Sequence, residues 1–219
     1  MIALKEASTI ILASASPRRR DLLASAGFRF TVAPSRIEES VDATAAPICQ
    51  AEMLATLKGL NVAERFPDRF VLAADTVIDL HGELLGKPVD CMSAVAMLRR
   101  LRGREHRVVT AVSLSRDGRS NVSSVQTRVW IRDVSDGEIE RYAESGEPLD
   151  KAGSYAIQGL GGRLVERIDG CYNNVVGLPL CRVVDMLVSF GFPGLKKGPR
   201  CFGPDHRPCP LQAGGETRE

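Results

Sequence analysis

Three arginines, Arg18, Arg19 and Arg20, follow Ser16-Pro17 in the stretch LASASPRRRDLL, directly behind a run of small apolar residues. Serine before proline is the pattern of an N-cap with proline at the first helical position, so the cations fall in a helix's first turn. That is the positive end of the helix dipole, where basic side chains are disfavoured unless an anion binds there. A second feature is AADTVIDL, in which Asp75 interrupts an otherwise apolar run. A buried carboxylate needs a cation, either a metal ion or a basic side chain. Glu38 and Glu39 follow the second predicted strand, and Lys87 follows the turn after Asp75 in GELLGKP. Acids and cations beside strand ends suit phosphate chemistry, in which carboxylates hold a hard divalent ion such as Mg²⁺ and Arg and Lys neutralise phosphate oxygens. Two plainer readings stand beside this one: the arginines form a solvated basic face, and Asp75 forms a structural ion pair.

The elements that must position these groups are legible from periodicity and punctuation. Thr9 to Ala13 reads as a short buried strand, and a helix runs from Pro17 to a stop at Gly27. Phe28 to Ala33 is a second strand, Pro47 to Val62 a helix and Phe70 to Leu80 a long strand closed by His81-Gly82. Asp90 caps a helix that ends at Gly103, and Asp117-Gly118 joins strands His106 to Ser115 and Val122 to Ile131 as a hairpin. Ser135 and Glu138 form a capping box for a helix through Tyr142. Pro179 to Phe190 is the last predicted helix, stopped by Gly191. Strands and helices alternate, which predicts an α/β fold with a mixed sheet. One domain is expected over residues 1–193, and residues 194–219, rich in Gly, Pro and charge, read as a disordered extension.

The formal net charge of +2 is carried by that extension, where five basic residues face three acidic ones. A neutral body gives generic nucleic-acid binding little support. No apolar run reaches the roughly 18 residues of a membrane span, and a cytoplasmic protein without membrane association is expected. No Gly-x-Ser-x-Gly elbow, P-loop or His-x-x-x-His spacing occurs, and His106 reads as a strand residue with a structural hydrogen bond. The six cysteines lack Cys-x-x-Cys spacing, which favours reduced thiols over a disulfide framework or a zinc site. Cys201, His206 and Cys209 do cluster in sequence, inside the extension, so metal binding there stands as a reading beside the disorder that the composition favours.

From Ile10 to Phe190 the chain resembles the Maf family of nucleoside triphosphate pyrophosphatases, historically linked to septum formation. The motifs that carry the resemblance are LASASPRRRDLL, AADTVIDLHGELLGKP, AVAMLRRLRGREHRVVTAVSL and SGEPLDKAGSYAIQGLGGRLVERIDGCYNNVVGLPL. It implies a mixed twisted sheet with flanking helices, two lobes around a central cleft related to inosine triphosphate pyrophosphatases, and a homodimer. It implies hydrolysis of a nucleoside triphosphate to the monophosphate and pyrophosphate with Mg²⁺ or Mn²⁺. By motif position Asp75 matches the general base, and Arg18, Arg19, Glu39, Lys58 and Lys87 match the polar residues of the cleft. Ser14, Thr76 and Gln158 are expected beside them as substrate contacts and Glu39 and Asp75 as metal ligands, with Asp75 open between base and ligand. Arg18, Thr76 and Gln158 resemble the branch acting on dTTP and UTP; a branch acting on 7-methyl-GTP carries an aromatic residue, Gln and Glu there. A neutral amide such as Gln158 can donate and accept towards a pyrimidine edge, whereas a carboxylate suits a cationic methylated guanine. Lys58-Gly59 departs from the family's common Lys-Ala, and Cys171 from a common Ser. The rival readings are 7-methyl-GTP specificity and a non-catalytic regulator of cell division.

Overall fold

The computed structural model describes residues 9–38, 45–195, 201–204 and 207–213. Strand β1 (Thr9–Leu12) leads through helix α1 (Pro17–Ser25) to β2 (Arg29–Val32), and β2 leads through α2 (Pro47–Ala63) to β3 (Phe70–Leu80). Both β2 and β3 lie parallel to β1, one on each side. The chain therefore reverses its direction of winding at β1, and the two connections must cover opposite faces of the sheet. Packing agrees: Leu22 and Leu23 of α1 sit with Ile10, Leu12, Phe70 and Leu72, whereas Val62 of α2 sits with Ile11, Ala13, Val71 and Ala73. Strands covered on both faces need apolar side chains at consecutive positions, which is why β1 and β3 read as continuous hydrophobic runs.

After β3 the sheet turns antiparallel. His81 and Gly82, at φ 56° and 92°, form a tight turn into the short strand β4 (Glu83–Leu85), which folds back on the end of β3. Helix α3 (Cys91–Leu101) begins at Asp90, whose carboxylate accepts from Ser93 N while Ser93 Oγ accepts from Asp90 N. Strands β5 (Glu105–Arg116) and β6 (Arg119–Ile131) form a hairpin, and Asp117 and Gly118 both take the positive φ that such a two-residue turn demands. Helix α4 (Asp136–Glu144) carries the predicted Ser135–Glu138 capping box. Three short 3₁₀ turns, Glu147–Asp150, Ala152–Ser154 and Leu160–Leu164, then lead to β7 (Val165–Asp169), α5 (Tyr172–Val176) and α6 (Leu180–Ser189). The strand order is β2-β1-β3-β5-β6-β7, so the fold is a mixed α/β sheet with flanking helices. Beyond α6, Phe202 pairs with Pro208 in an isolated antiparallel bridge and a last short helix, α7, spans Pro210–Ala213. Cys201 and Cys209 of this segment are 1% and 3% exposed and pack in the core cluster of β1, α1 and α6.

His106 is the structural histidine its setting suggested. It is buried, with Nε2 2.8 Å from Tyr155 Oη, and burial pushes its pKa down from 6.5 to about 4. An unfolded chain then binds a proton that the folded chain refuses throughout the interval between those two values. Stability should be unaffected by this group above pH 6.5 and should fall as the pH drops towards 4, with about 2 kcal/mol lost by pH 5. Urea unfolding at pH 7 and pH 5 checks this: His106→Gln, which cannot titrate, should lose that much less than the native chain.

Candidate active site

The ladder between β1 and β3 ends at Leu12 and Leu72, and on the same edge β4 pairs only with Ile78 to Leu80. Residues 73–77 of β3 thus face a slot in the sheet with no strand neighbour among the described residues. The slot opens at the carboxyl end of β1, where winding reverses, and such crevices are where open α/β sheets bind ligands. Asp75 lies at its centre. It shares the α2 face with Ala73 and Val77, and Lys58 on α2 meets it with Nζ 2.6 Å from Oδ1. The two side chains are 9% and 10% exposed. Of the two partners left open for Asp75, metal or basic side chain, the structure supplies the basic one at Oδ1. The other carboxylate oxygen makes no hydrogen bond to a described residue.

Gly59 explains the departure beside Lys58. A Cβ there would stand 2.8 Å from Ser113 Oγ on β5 and 3.5 Å from Ala73 Cβ, so glycine lets α2 press close to the sheet. Ser113 Oγ is itself buried with no hydrogen-bond partner among the described residues. Replacing both residues by alanine removes the clash and the orphan hydroxyl together and gains about 1 kcal/mol of helix propensity. The double variant Gly59→Ala/Ser113→Ala should be more stable than the native chain by about 1–2 kcal/mol in urea unfolding, and Gly59→Ala alone should gain less.

The next residue of β3 points the opposite way. Thr76 faces α1, where Arg19 donates from Nη2 to Thr76 Oγ1 at 3.1 Å, from Nη1 to Ser14 Oγ at 3.1 Å and from Nε to Gly177 O at 2.9 Å. These three uncharged acceptors fix the plane and direction of the guanidinium. Ser16 occupies the N-cap position of α1, but its side chain makes no capping bond; instead Ser16 N donates to Ser14 Oγ. The first turn of α1 holds no acidic residue. Gly177, at φ 121°, would place a Cβ 3.4 Å from Thr76 Oγ1, so the residue there must be both small and tolerant of positive φ.

Sequence reasoning missed the groups behind Arg19. Thr76 Oγ1 lies 3.0 Å from Thr110 Oγ1 on β5. Buried Asn174 accepts from Thr110 N and donates to Val108 O and Thr127 Oγ1, locking α5 and hence Gly177 to the sheet. The available signal was the Asn173-Asn174 pair inside the apolar run CYNNVVGLPL, since polar side chains in a core must be fully bonded.

Arg18 sits on the rim. Burial pulls its pKa down, partly offset by the Asp150 carboxylate and the Tyr142 hydroxyl. The same Tyr142 accepts from Ala156 N and donates to Glu147, and Glu147 in turn accepts from Leu160 N and Gly161 N. Arg18 therefore faces Tyr142 and Asp150, and Glu147 ties the Glu147–Asp150 turn to the GLGG segment, a turn as its glycines suggested. The Ala152–Ser154 turn docks on the far side of the slot through Gly153 N to Gly86 O, 3.0 Å. Lys87 is the next residue, exposed where the chain leaves β4. Gln158 is exposed on the loop and makes no side-chain hydrogen bond among the described residues. Glu39 lies outside the described residues; Glu38 is exposed beyond β2. The arrangement is a slot with one buried, paired carboxylate, with Arg19 anchored on the opposite face of β3 beside it and Lys87 exposed just past β4, and cations near a carboxylate suit a polyanion that presents an electrophilic centre to Asp75. A divalent cation fits the donor chemistry: Asp75 offers a hard oxygen, and such ions take only one or two protein carboxylates when phosphates supply the rest.

Residues 9–190 match the family model described as Maf-like protein. The chain is 47% identical over 185 residues to a dTTP/UTP pyrophosphatase of Hahella chejuensis, covering 83% of this chain and 92% of that one. It is 52% identical over 185 residues to a dTTP/UTP pyrophosphatase of Myxococcus xanthus, with 84% and 93% covered. Among solved structures, the Ham1 protein of Staphylococcus aureus aligns at a TM-score of 0.41 and 19% identity, over 57% of this chain and 72% of that one.

Proposed function

Since the chain belongs to the Maf family, we propose that it hydrolyses nucleoside triphosphates, dTTP and UTP foremost, to the nucleoside monophosphate and pyrophosphate. The observation that carries this reading is the slot: a buried, paired carboxylate at its centre and Arg19 aimed beside it by Ser14, Thr76 and Gly177. Asp75 orients a water molecule and takes its proton as the water oxygen bonds to the α-phosphorus. The bond from the α-phosphorus to the bridging oxygen breaks, and pyrophosphate leaves with the bond's electron pair. Lys58 holds Oδ1 of Asp75, which fixes the carboxylate's orientation and balances its charge in a desolvated site. Arg19, aimed by Ser14, Thr76 and Gly177, and Arg18 and Lys87 at the rim hold the phosphate oxygens and stabilise charge developing on the leaving group. Asp75 and Glu39 would hold a divalent cation, Mg²⁺ or Mn²⁺, which when bound would supply further charge neutralisation and ease the deprotonation of water. Gln158 reads the pyrimidine edge through its amide. The reading includes a homodimer in the cytoplasm.

A panel of nucleoside triphosphates with Mg²⁺ or Mn²⁺, with products separated, tests this. dTTP and UTP should yield their monophosphates and pyrophosphate at the highest kcat/KM. Preference for 7-methyl-GTP, or release of orthophosphate, would overturn it.

A further inference from the structure

Two of the six cysteines, Cys49 and Cys91, are exposed; the other four, Cys171, Cys181, Cys201 and Cys209, are buried. These four converge from separate stretches of the chain. Their sulfurs all lie within 4.8 Å of one another. Cys171 Sγ is 3.4 Å from Cys201 Sγ and 3.9 Å from Cys181 Sγ. We propose that the four thiolates form a tetrahedral site for one zinc ion that fastens the segment beyond the family match onto the core.

The dimensions select a single ion. Zinc–thiolate bonds of about 2.3 Å at tetrahedral angles set sulfur–sulfur separations of about 3.8 Å. A disulfide would bring two sulfurs to about 2.0 Å, and none of the four is in a disulfide. Buried cysteines can pack simply as small hydrophobes. Packing alone does not, however, require four sulfurs from three chain segments to meet at one point. Four soft thiolates with no carboxylate among them select zinc over the hard cation of the slot.

Each sulfur sits on an anchored support. Cys171 N donates to Thr127 Oγ1, and that hydroxyl donates to Cys171 O, which pins the residue at the start of α5. Cys181 lies in the first turn of α6. Cys201 and Cys209 flank a small hairpin, closed by Cys209 N to Cys201 O at 2.8 Å and Gly203 N to Arg207 O at 2.9 Å. Asn173 Nδ2 donates to Cys201 Sγ at 3.3 Å, the kind of outer hydrogen bond that steadies a metal-bound thiolate. The family match stops at residue 190. Two ligands therefore come from the family body and two from a tail too rich in Gly, Pro and charge to fold unaided. His206, which clusters with Cys201 and Cys209 in sequence, lies outside the described residues.

The test uses the full chain, purified under reducing conditions, stripped of metal and then given one equivalent of Zn²⁺. Elemental analysis after desalting should find one zinc per chain, and only Cys49 and Cys91 should react with a thiol reagent until a chelator releases the remaining four. Cys201→Ser and Cys209→Ser should each lose the zinc while keeping native turnover of dTTP with Mg²⁺. Cys49→Ser and Cys91→Ser should keep both. With Co²⁺ in place of Zn²⁺, the native chain should show the intense visible absorption and near-ultraviolet sulfur-to-metal charge transfer of a tetrahedral thiolate site, a readout that needs no variant to fold. Failure to retain Zn²⁺, thiols equally reactive with and without it, or an intact mass showing disulfides in the native chain would overturn the proposal. None of these three contrary results depends on nucleotide hydrolysis.

Discussion

Asp75→Asn should lower the turnover of dTTP and UTP by about 10²-fold or more, with little change in KM. The substitution keeps shape and leaves an oxygen to accept from Lys58, but an amide cannot take a proton from water or compensate a cation. The cations expected to hold the triphosphate, Arg18, Arg19 and Lys87, stand elsewhere around the slot and are untouched. The effect therefore falls on kcat rather than on binding. Steady-state kinetics with circular dichroism as the fold control check this. Near-native turnover would remove Asp75 from the reaction.

Lys58→Met should produce the largest loss of stability. Lys58 Nζ lies 2.6 Å from Asp75 Oδ1, and each side chain is at least 90% withdrawn from solvent. Removing one partner of a buried pair strands the other charge and costs about 3–5 kcal/mol. Methionine keeps most of the lysine's volume, so a cavity contributes little. The discriminating comparison is the double variant Lys58→Met/Asp75→Asn, which removes the stranded charge along with its partner and should be more stable than Lys58→Met alone. Urea unfolding of the four species measures the coupling. If Lys58→Met cost under about 1 kcal/mol, as exposed pairs do, the pair would not be the desolvated unit described here.

The parts of this fold that were legible in the sequence are those decided locally. The limits of β3, Phe70 and Leu80, follow from an apolar run closed by His81-Gly82, and both turn residues adopt positive φ. The hairpin at Asp117-Gly118 and the capping box at Ser135–Glu138 rest on side chains acting within a few residues. What escaped depends on distant partners. Strand β4 has three residues and helix α5 five, too short for periodicity to register. Both exist because β3 and the Asn174 network hold them. The site divides the same way. Arg19, Ser14 and Thr76 were named as separate candidates, and only the fold shows them joined in one cluster. The partner of Asp75 was open between metal and side chain because Lys58 lies 17 positions away, on a helix across the sheet face. Cys201 and Cys209 cluster in sequence, but nothing in the spacing joined Cys171 and Cys181 to them; α5, α6 and the tail bring the four together.

The claim on which the account rests is that the slot directs water to the α-phosphorus of a nucleoside triphosphate. Hydrolysis of dTTP by the native chain in oxygen-18-enriched water, with the products analysed by mass spectrometry, tests it most directly. The account predicts one heavy oxygen in the thymidine monophosphate and none in the pyrophosphate. Heavy oxygen in the pyrophosphate, or orthophosphate as the labelled product, would contradict it.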